Sequence, residues 1–257
     1  MPKAFAKCLV MCVLIYGTAT HSAPAQNLHN TTVQAELGNA QAQLVLGTMY
    51  DYGMGIPEDD SEALKWYRKA AEQGYADAQL SLAFMYEYGS DVPKDDTEAV
   101  RWYREAAEQG HPIAQSSLGM KYAKGEGVSK DRAEAVRWYL ESAEQGYAQA
   151  QYDLGWSYRT GEGVPEDEGE AMRWFRKAAE QGMAAAQFKV GANYANDYGV
   201  DQNLVLSYMW LSLSAAQGDL DAQEGIKVLA DLMTSNQIAE AQELASACFS
   251  NDYIGCD

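Results

Sequence analysis

The sequence predicts an all-α solenoid of two-helix repeats, and three observations carry that prediction. Tryptophan recurs at Trp66, Trp102, Trp138, Trp174 and Trp210, a constant step of 36 residues. The dipeptide Ala-Gln keeps the same phase, at Ala42-Gln43, Ala78-Gln79, Ala114-Gln115, Ala150-Gln151, Ala186-Gln187 and Ala222-Gln223. Glycine closes each period, at Gly74, Gly110, Gly146, Gly182 and Gly218. Strict self-similarity at such a period marks stacked supersecondary units, none of which can bury its apolar face alone.

Residues 1–25 read as a signal peptide. Lys3 and Lys7 form a positive start, Cys8 to Tyr16 is an apolar run, and Ala23-Pro24-Ala25 offers a small-residue cleavage site. The run is well short of the roughly 20 residues that a membrane-spanning helix needs, so cleavage near Gln26 and no stable membrane insertion afterwards are expected. Periplasmic or secreted localisation follows, and residues 26–36 then form an N-terminal arm.

Five repeats are expected over residues 37–218. In the first, Ala42, Leu46, Gly47 and Tyr50 share one side of a helix A, with Gly47 admitting a close neighbour. That tyrosine keeps the period, at Tyr50, Tyr86, Tyr122, Tyr158 and Tyr194. Gly53 can cap the helix in a left-handed conformation, and Gly53-Met54-Gly55-Ile56-Pro57 is a turn. Helix B opens on a capping box, Asp59 with Glu62, repeated as Asp95/Glu98, Asp131/Glu134 and Asp167/Glu170. Ala63, Trp66, Tyr67, Ala70 and Ala71 then form a stripe that faces the core.

The fifth repeat departs from the pattern. Asn203 replaces the capping aspartate, Tyr208-Met209-Trp210-Leu211 replaces Trp-Tyr, and Asp197 and Asp201 stand where the turn has glycine and proline. Such changes suit a terminal unit beside a cap. Residues 219–247 are expected to form a capping helix pair, the second helix opening on a Thr234/Gln237 box. A tail over 248–257 holds Cys248 and Cys256, the two cysteines left once the leader is gone. A disulfide between them is expected in an oxidising compartment, two exposed free thiols being the alternative.

The pattern from Ala150 to Gly182, Ala-Gln-x-x-Leu-Gly-x-x-Tyr-x-x-Gly-x-Gly-Val-Pro through Trp174 to Gln181-Gly182, resembles the Sel1-like repeat, a relative of the tetratricopeptide repeat. The resemblance implies a right-handed α/α superhelix. It also implies that helix A lines the concave side and that the protein acts as a non-catalytic adaptor for other proteins, in signalling regulation or host interaction.

Composition narrows the alternatives. The formal net charge is −18, and the leader takes two lysines and no acid with it. Such a chain repels phosphate backbones and anionic lipids, so no nucleic acid is expected, and the partner should be a basic or neutral protein or peptide. Of three histidines, His21 lies in the leader, His29 in the N-terminal arm and His111 alone beside Pro112, so no metal set, no catalytic residue and no cofactor is expected. The acidic runs Glu58-Asp59-Asp60 and Glu166-Asp167-Glu168 lack calcium-loop spacing and sit where helix starts favour negative charge.

Packing explains the periodic residues of helix A and leaves the variable ones for recognition. That stripe supplies the candidate partner-binding residues: Leu44, Tyr52, Leu80, Phe84, Tyr88, Met120, Lys124, Tyr152, Trp156, Phe188 and Asn196. Trp156 is the tryptophan outside the period, its counterparts being Thr48, Phe84, Met120 and Ala192. Against groove function stands the alternative that these side chains fill space between helices. A second functional reading is binding or hydrolysis of cell-wall fragments or β-lactams. Members of the resembling family described in that way carry a cysteine pair in each repeat, and these repeats carry none. A third, self-assembly through the ends of the solenoid, is opposed by the acidic surface and the capping helices, so a monomer is expected.

Overall fold

The computed structural model describes residues 24–89, 92–253 and 255–256, with side chains from residue 28 onward. The expected leader lies outside the described residues, except for its last two, which open the first helix. Among the described residues there are 13 helices and no strand. Two compact units divide the chain, Met1–Lys130 and Asp131–Asp257.

The first unit holds α1 (Pro24–Glu36), α2 (Ala40–Tyr52), α3 (Asp60–Glu72), α4 (Ala76–Tyr88), α5 (Asp96–Glu108) and α6 (Pro112–Lys124), each packed on the one before. The second holds α7 (Arg132–Glu144), α8 (Ala148–Thr160), α9 (Glu168–Ala179), α10 (Ala184–Asn196), α11 (Leu204–Ala216), α12 (Leu220–Ala230) and α13 (Ser235–Ser250). Here too successive helices pack in turn as far as α11, which then receives both α12 and α13. Helices α2, α4, α6, α8 and α10 are the A helices of their repeats, and α3, α5, α7, α9 and α11 the B helices.

Helix ends follow from local chemistry. Gly53, Gly89, Gly125 and Gly161 end their A helices in the left-handed region, as glycine does at no steric cost. At the end of α10, Asp197 takes the same conformation with φ of 60°. The B helices start on Asp59, Asp95, Asp131 and Asp167, each accepting from the backbone N–H of the glutamate three residues on. The reciprocal half of the expected box is not made there. Instead the N–H of Asp59, Asp95 and Asp167 donates to the carbonyl of the periodic tyrosine, Tyr50, Tyr86 and Tyr158, at 2.9 Å. The glutamates Glu62, Glu98, Glu134 and Glu170 turn outward to Lys65, Arg101, Arg137 and Arg173. Thr234 and Gln237 do form the full reciprocal box, at the start of α13.

The glutamine of Ala-Gln is a clasp between repeats. Gln43 Nε2 donates to the Ala35 carbonyl, Gln79 to Ala71, Gln115 to Ala107, Gln151 to Ala143 and Gln187 to Ala179, each in the last turn of the preceding helix. The side-chain oxygens of Gln43, Gln79, Gln151 and Gln187 then accept from Gln73, Gln109, Gln181 and Gln217, which precede the closing glycines. A buried amide satisfied on both ends fixes how one helix pair meets the next. The arm joins this scheme: α1 stands where the B helix of an earlier repeat would, and Ala35 packs with Leu46 and Trp66.

In the A helices Gly47, Gly155 and Gly191 let a ring or branched chain touch the backbone. A Cβ there would come within 2.7 Å of Tyr67, 2.7 Å of Phe175 and 2.8 Å of Leu211. Helix α11 is apolar around its circumference because α10, α12 and α13 surround it, and Met209 and Trp210 are wholly buried. Beyond it, Leu220, Val228 and Leu232 remain exposed. Cys248 and Cys256 are joined by a disulfide, and the tail it closes lays Tyr253 against Gly182.

Candidate functional site

The structure scatters the candidate residues across three environments. Leu44 and Leu80, 4% and 5% exposed, belong to the core and give a partner nothing to touch. The reason is that an A helix lies between two B helices: α4 packs on both α3 and α5 and buries Ala78, Gln79, Leu80, Ser81, Leu82, Ala83 and Met85. Tyr52, Phe84, Met120, Tyr152, Trp156 and Phe188 are half-buried, while Tyr88, Lys124 and Asn196 are exposed.

Each unit holds a cluster of aromatic contacts built on an A helix. In the first, Phe84 meets Tyr103 edge-on at 5.7 Å and stacks with Tyr88 at 6.1 Å. In the second, Tyr152 and Trp156 lie against Phe175 at 5.6 Å and 6.0 Å. In both, rings of an A helix are backed by a buried ring of the following B helix. Rings held in this way lose little freedom on binding.

The polar surroundings of the two clusters differ. Asp51 and Glu87 occupy equivalent places on α2 and α4, and each accepts from a tyrosine of the next helix, Tyr67 and Tyr103. Burial, reinforced by those carboxylates, pushes both phenols well above their ordinary range. Glu87 also pairs with Lys121 at 2.7 Å, and Lys121, 1% exposed, reaches Asp96 at 3.0 Å and Glu126 at 3.1 Å. Burial opposes the ammonium charge of Lys121, and its three carboxylates outweigh that, holding its pKa above the usual lysine value. In the second unit the place of Glu87 is taken by Arg159, that of Tyr103 by Phe175 and that of Lys121 by Asn193. Arg159 Nη1 donates to Asn193 Oδ1 at 2.9 Å. Lys189 Nζ stands over Trp156 at 4.6 Å and over Phe188 at 5.1 Å. The sequence reading missed Arg159 and Lys189; a break in charge at the position of Asp51 and Glu87 was the signal for Arg159, and one at the position of Asp153 the signal for Lys189.

His111 caps α6, its Nδ1 accepting from Ala114 N, and its other nitrogen lies 3.1 Å from Asp77. Among the described residues no group of three or more His, Cys, Asp or Glu could hold a metal ion, and no helix is long and apolar enough to cross a membrane.

Helix pairs clasped end to end, with side chains of the A helices left partly uncovered, define an α/α solenoid. The Sel1 repeat family model matches residues 40–75, 76–111, 112–147, 148–183 and 184–219, and the chain belongs to the Sel1 repeat family. Proteins of this family generally mediate protein–protein interactions and are typically non-catalytic scaffolds.

Among solved structures, the chain is similar to c5321, described as a protective antigen present in uropathogenic Escherichia coli strains and displaying an SLR fold. The identity is 32% and the TM-score 0.83, over 91% of this chain and 51% of that one, so the chain spans about half the length of c5321. A Sel1 repeat protein from Oxalobacter formigenes is 32% identical with a TM-score of 0.75, over 94% of this chain and 98% of that one. Immunity protein PA5088 from Pseudomonas aeruginosa, 21% identical over 86% of this chain and 84% of that one, with a TM-score of 0.51, shares the fold. No curated protein matches the chain.

Proposed function

We propose that this chain is an exported, monomeric, non-catalytic adaptor that binds a segment of a partner protein on its A helices. The observation that carries the reading is the pair of backed aromatic clusters, Phe84 with Tyr88 and Tyr152 with Trp156. Each offers partly uncovered ring surface of the kind that dominates interface energetics, held rigid from behind. Lys124, Met120 and Asn196 would extend the contact. A net charge of −18 favours a partner that is neutral or basic overall. Export rests on the leader-like residues 1–25, and the disulfide suits an oxidising compartment.

The test is in-cell crosslinking and capture from the native host, with the wild type and a Phe84→Ala/Trp156→Ala variant compared at equal expression. The variant should lose the specific crosslinked species while keeping the helical circular dichroism of the parent. Identical capture by both would remove the A-helix assignment. A fusion of residues 1–25 to alkaline phosphatase should be active in the envelope, and an inactive fusion would remove export.

A further inference from the structure

We propose that Arg159 and Lys189, set around Trp156, form a docking point for one carboxylate of the partner polypeptide, presented beside an aromatic or aliphatic side chain. This inference rests on the adaptor reading and deepens it.

The exchange of residues between units provides the first argument. At the position of Arg159 the first two repeats hold carboxylates, Asp51 and Glu87, each tied to a tyrosine hydroxyl, and Glu87 is further neutralised by Lys121. The fourth repeat holds an arginine there, facing a phenylalanine that cannot donate and an asparagine that carries no charge. The guanidinium therefore has a neutral hydrogen-bond acceptor in Asn193, and its charge meets no carboxylate within ion-pair distance among the described residues.

Lys189, one helix further on, supplies the second argument. Its ammonium makes ring contacts, to Trp156 and Phe188, and no ion pair among the described residues. Desolvation and the nearby charge of Arg159 both press its pKa down, while Asp221 and Asp219 act in the opposite sense. Asp219 is already committed as the cap of α12, accepting from Ala222 N and Ser214 Oγ. In a chain with nearly two acids for every base, two cations stand together at a half-buried tryptophan with no carboxylate in ion-pair contact with either among the described residues. A carboxylate bound between them would offset both the repulsion and the desolvation, through charge-assisted hydrogen bonds from two helices.

The surroundings select the occupant. Arg159 also lies over Tyr198, with 5.1 Å from Cζ to the ring centroid, and Trp156 is braced on Phe175 and Tyr152. The carboxylate thus enters among aromatic rings that favour an apolar neighbour beside it. The rest of the chain is strongly acidic and repels extended polyanions, so a single carboxylate on an otherwise neutral or basic polypeptide suits both the local and the overall field.

The experiment uses the purified chain and an array of random-sequence peptides. Each peptide is made with its acidic groups intact, and again with Asp and Glu replaced by Asn and Gln and the C-terminus amidated. The strongest binders should lose about tenfold or more on neutralisation, the scale of one charged hydrogen bond. Arg159→Gln and Lys189→Gln should each shrink that difference toward nothing while leaving the melting temperature unchanged, and Arg159→Lys should retain part of it. Binders indifferent to neutralisation would overturn the docking point, and so would a carboxylate dependence that survives in both glutamine variants. If peptides bind without carboxylate dependence and fail on Phe84→Ala/Trp156→Ala, the adaptor reading stands and this inference alone falls. If no peptide binds, both fall. Where a glutamine variant does not fold, neutralised peptides on the wild type still decide.

Discussion

At the residue scale, the glycines of the turns divide into two kinds that look alike in the sequence. Gly146 closes a repeat with φ of 90° and nothing within 4 Å of where a Cβ would be. Gly163, the second glycine of a turn, has φ of 82°, and a Cβ there would lie 2.1 Å from the Arg132 carbonyl oxygen. Gly146→Ala should therefore cost only the left-handed backbone strain, about 1 kcal/mol, whereas Gly163→Ala must also push backbone from backbone and should cost about 3 kcal/mol or more. Urea titration of the two variants checks the order, and equal losses would contradict it. The contrast shows what the sequence could and could not reveal. The need for glycine was legible at both positions from the period, and the tight approach of Gly163 to α7 was not, because it arises between segments 31 residues apart. Leu44 and Leu80 teach the same lesson in reverse. They vary in chemical setting like surface residues, yet burial between neighbouring helices claims them, and periodicity alone cannot separate a variable core position from a variable surface one.

Among elements, the helix pairs were legible because Trp66, Tyr67, Ala70 and Ala71 recur at helical spacing, and the helix α1 was not. Its segment, Asn27 to Ala35, keeps almost nothing of the repeat besides Ala35, and what enlists it as a helix is the first repeat's need for a partner on its open side. The sequence also displayed Ala-Gln in every repeat without disclosing its purpose. In the structure the glutamine is an amide bridge that joins a B-helix carbonyl to the glutamine at the end of its own repeat. Gln79 Nε2 reaches Ala71 O at 3.2 Å, and Gln79 Oε1 accepts from Gln109 Nε2 at 2.7 Å. Gln79→Leu keeps the volume and strands a buried carbonyl and an amide, so it should destabilise the first unit by about 2 to 3 kcal/mol. Gln79→Glu should do at least as much harm, since it replaces the donor to Ala71 with an acceptor and places a charge beside Glu105. The measurement is hydrogen exchange across α3 and α4, which should quicken in both variants. A glutamine variant that exchanges like the parent would mean that the clasp is decorative and that apolar packing alone sets the junction.

For the molecule as a whole, the dominant feature is an acidic charge of −18, and its effect on stability has two opposing parts. Protonating exposed carboxylates relieves self-repulsion, which favours the folded state as pH falls from 7 toward 5. Other carboxylates resist. Hydrogen bonding to Lys121 holds Glu126 below its ordinary pKa, and at Asp96 burial pushes upward but the hydrogen bonds from Lys121 and Lys94 more than offset it. A group whose folded pKa is depressed contributes stability that is present above its unfolded pKa, near 4, and is lost as pH falls through the folded value. Stability should thus hold or rise slightly down to about pH 5 and then drop below about pH 4. The variant Lys121→Met isolates the second part, because methionine already stands at the equivalent places Met49 and Met85 and fits the space. At pH 7 it leaves Glu87, Asp96 and Glu126 crowded without the cation they share and should lose about 2 to 4 kcal/mol, near the lower end for a broken buried pair since Glu126 is partly in water and Asp96 keeps Lys94. As pH falls through the depressed values of Asp96 and Glu126 their pairing with Lys121 is lost, and the gap between variant and parent should narrow. Chemical denaturation of both at pH 7, 5 and 3.5 measures it. A gap that stays constant across that range would mean that Lys121 acts through packing, and that the acidic character of this chain has no internal counterweight at the third repeat.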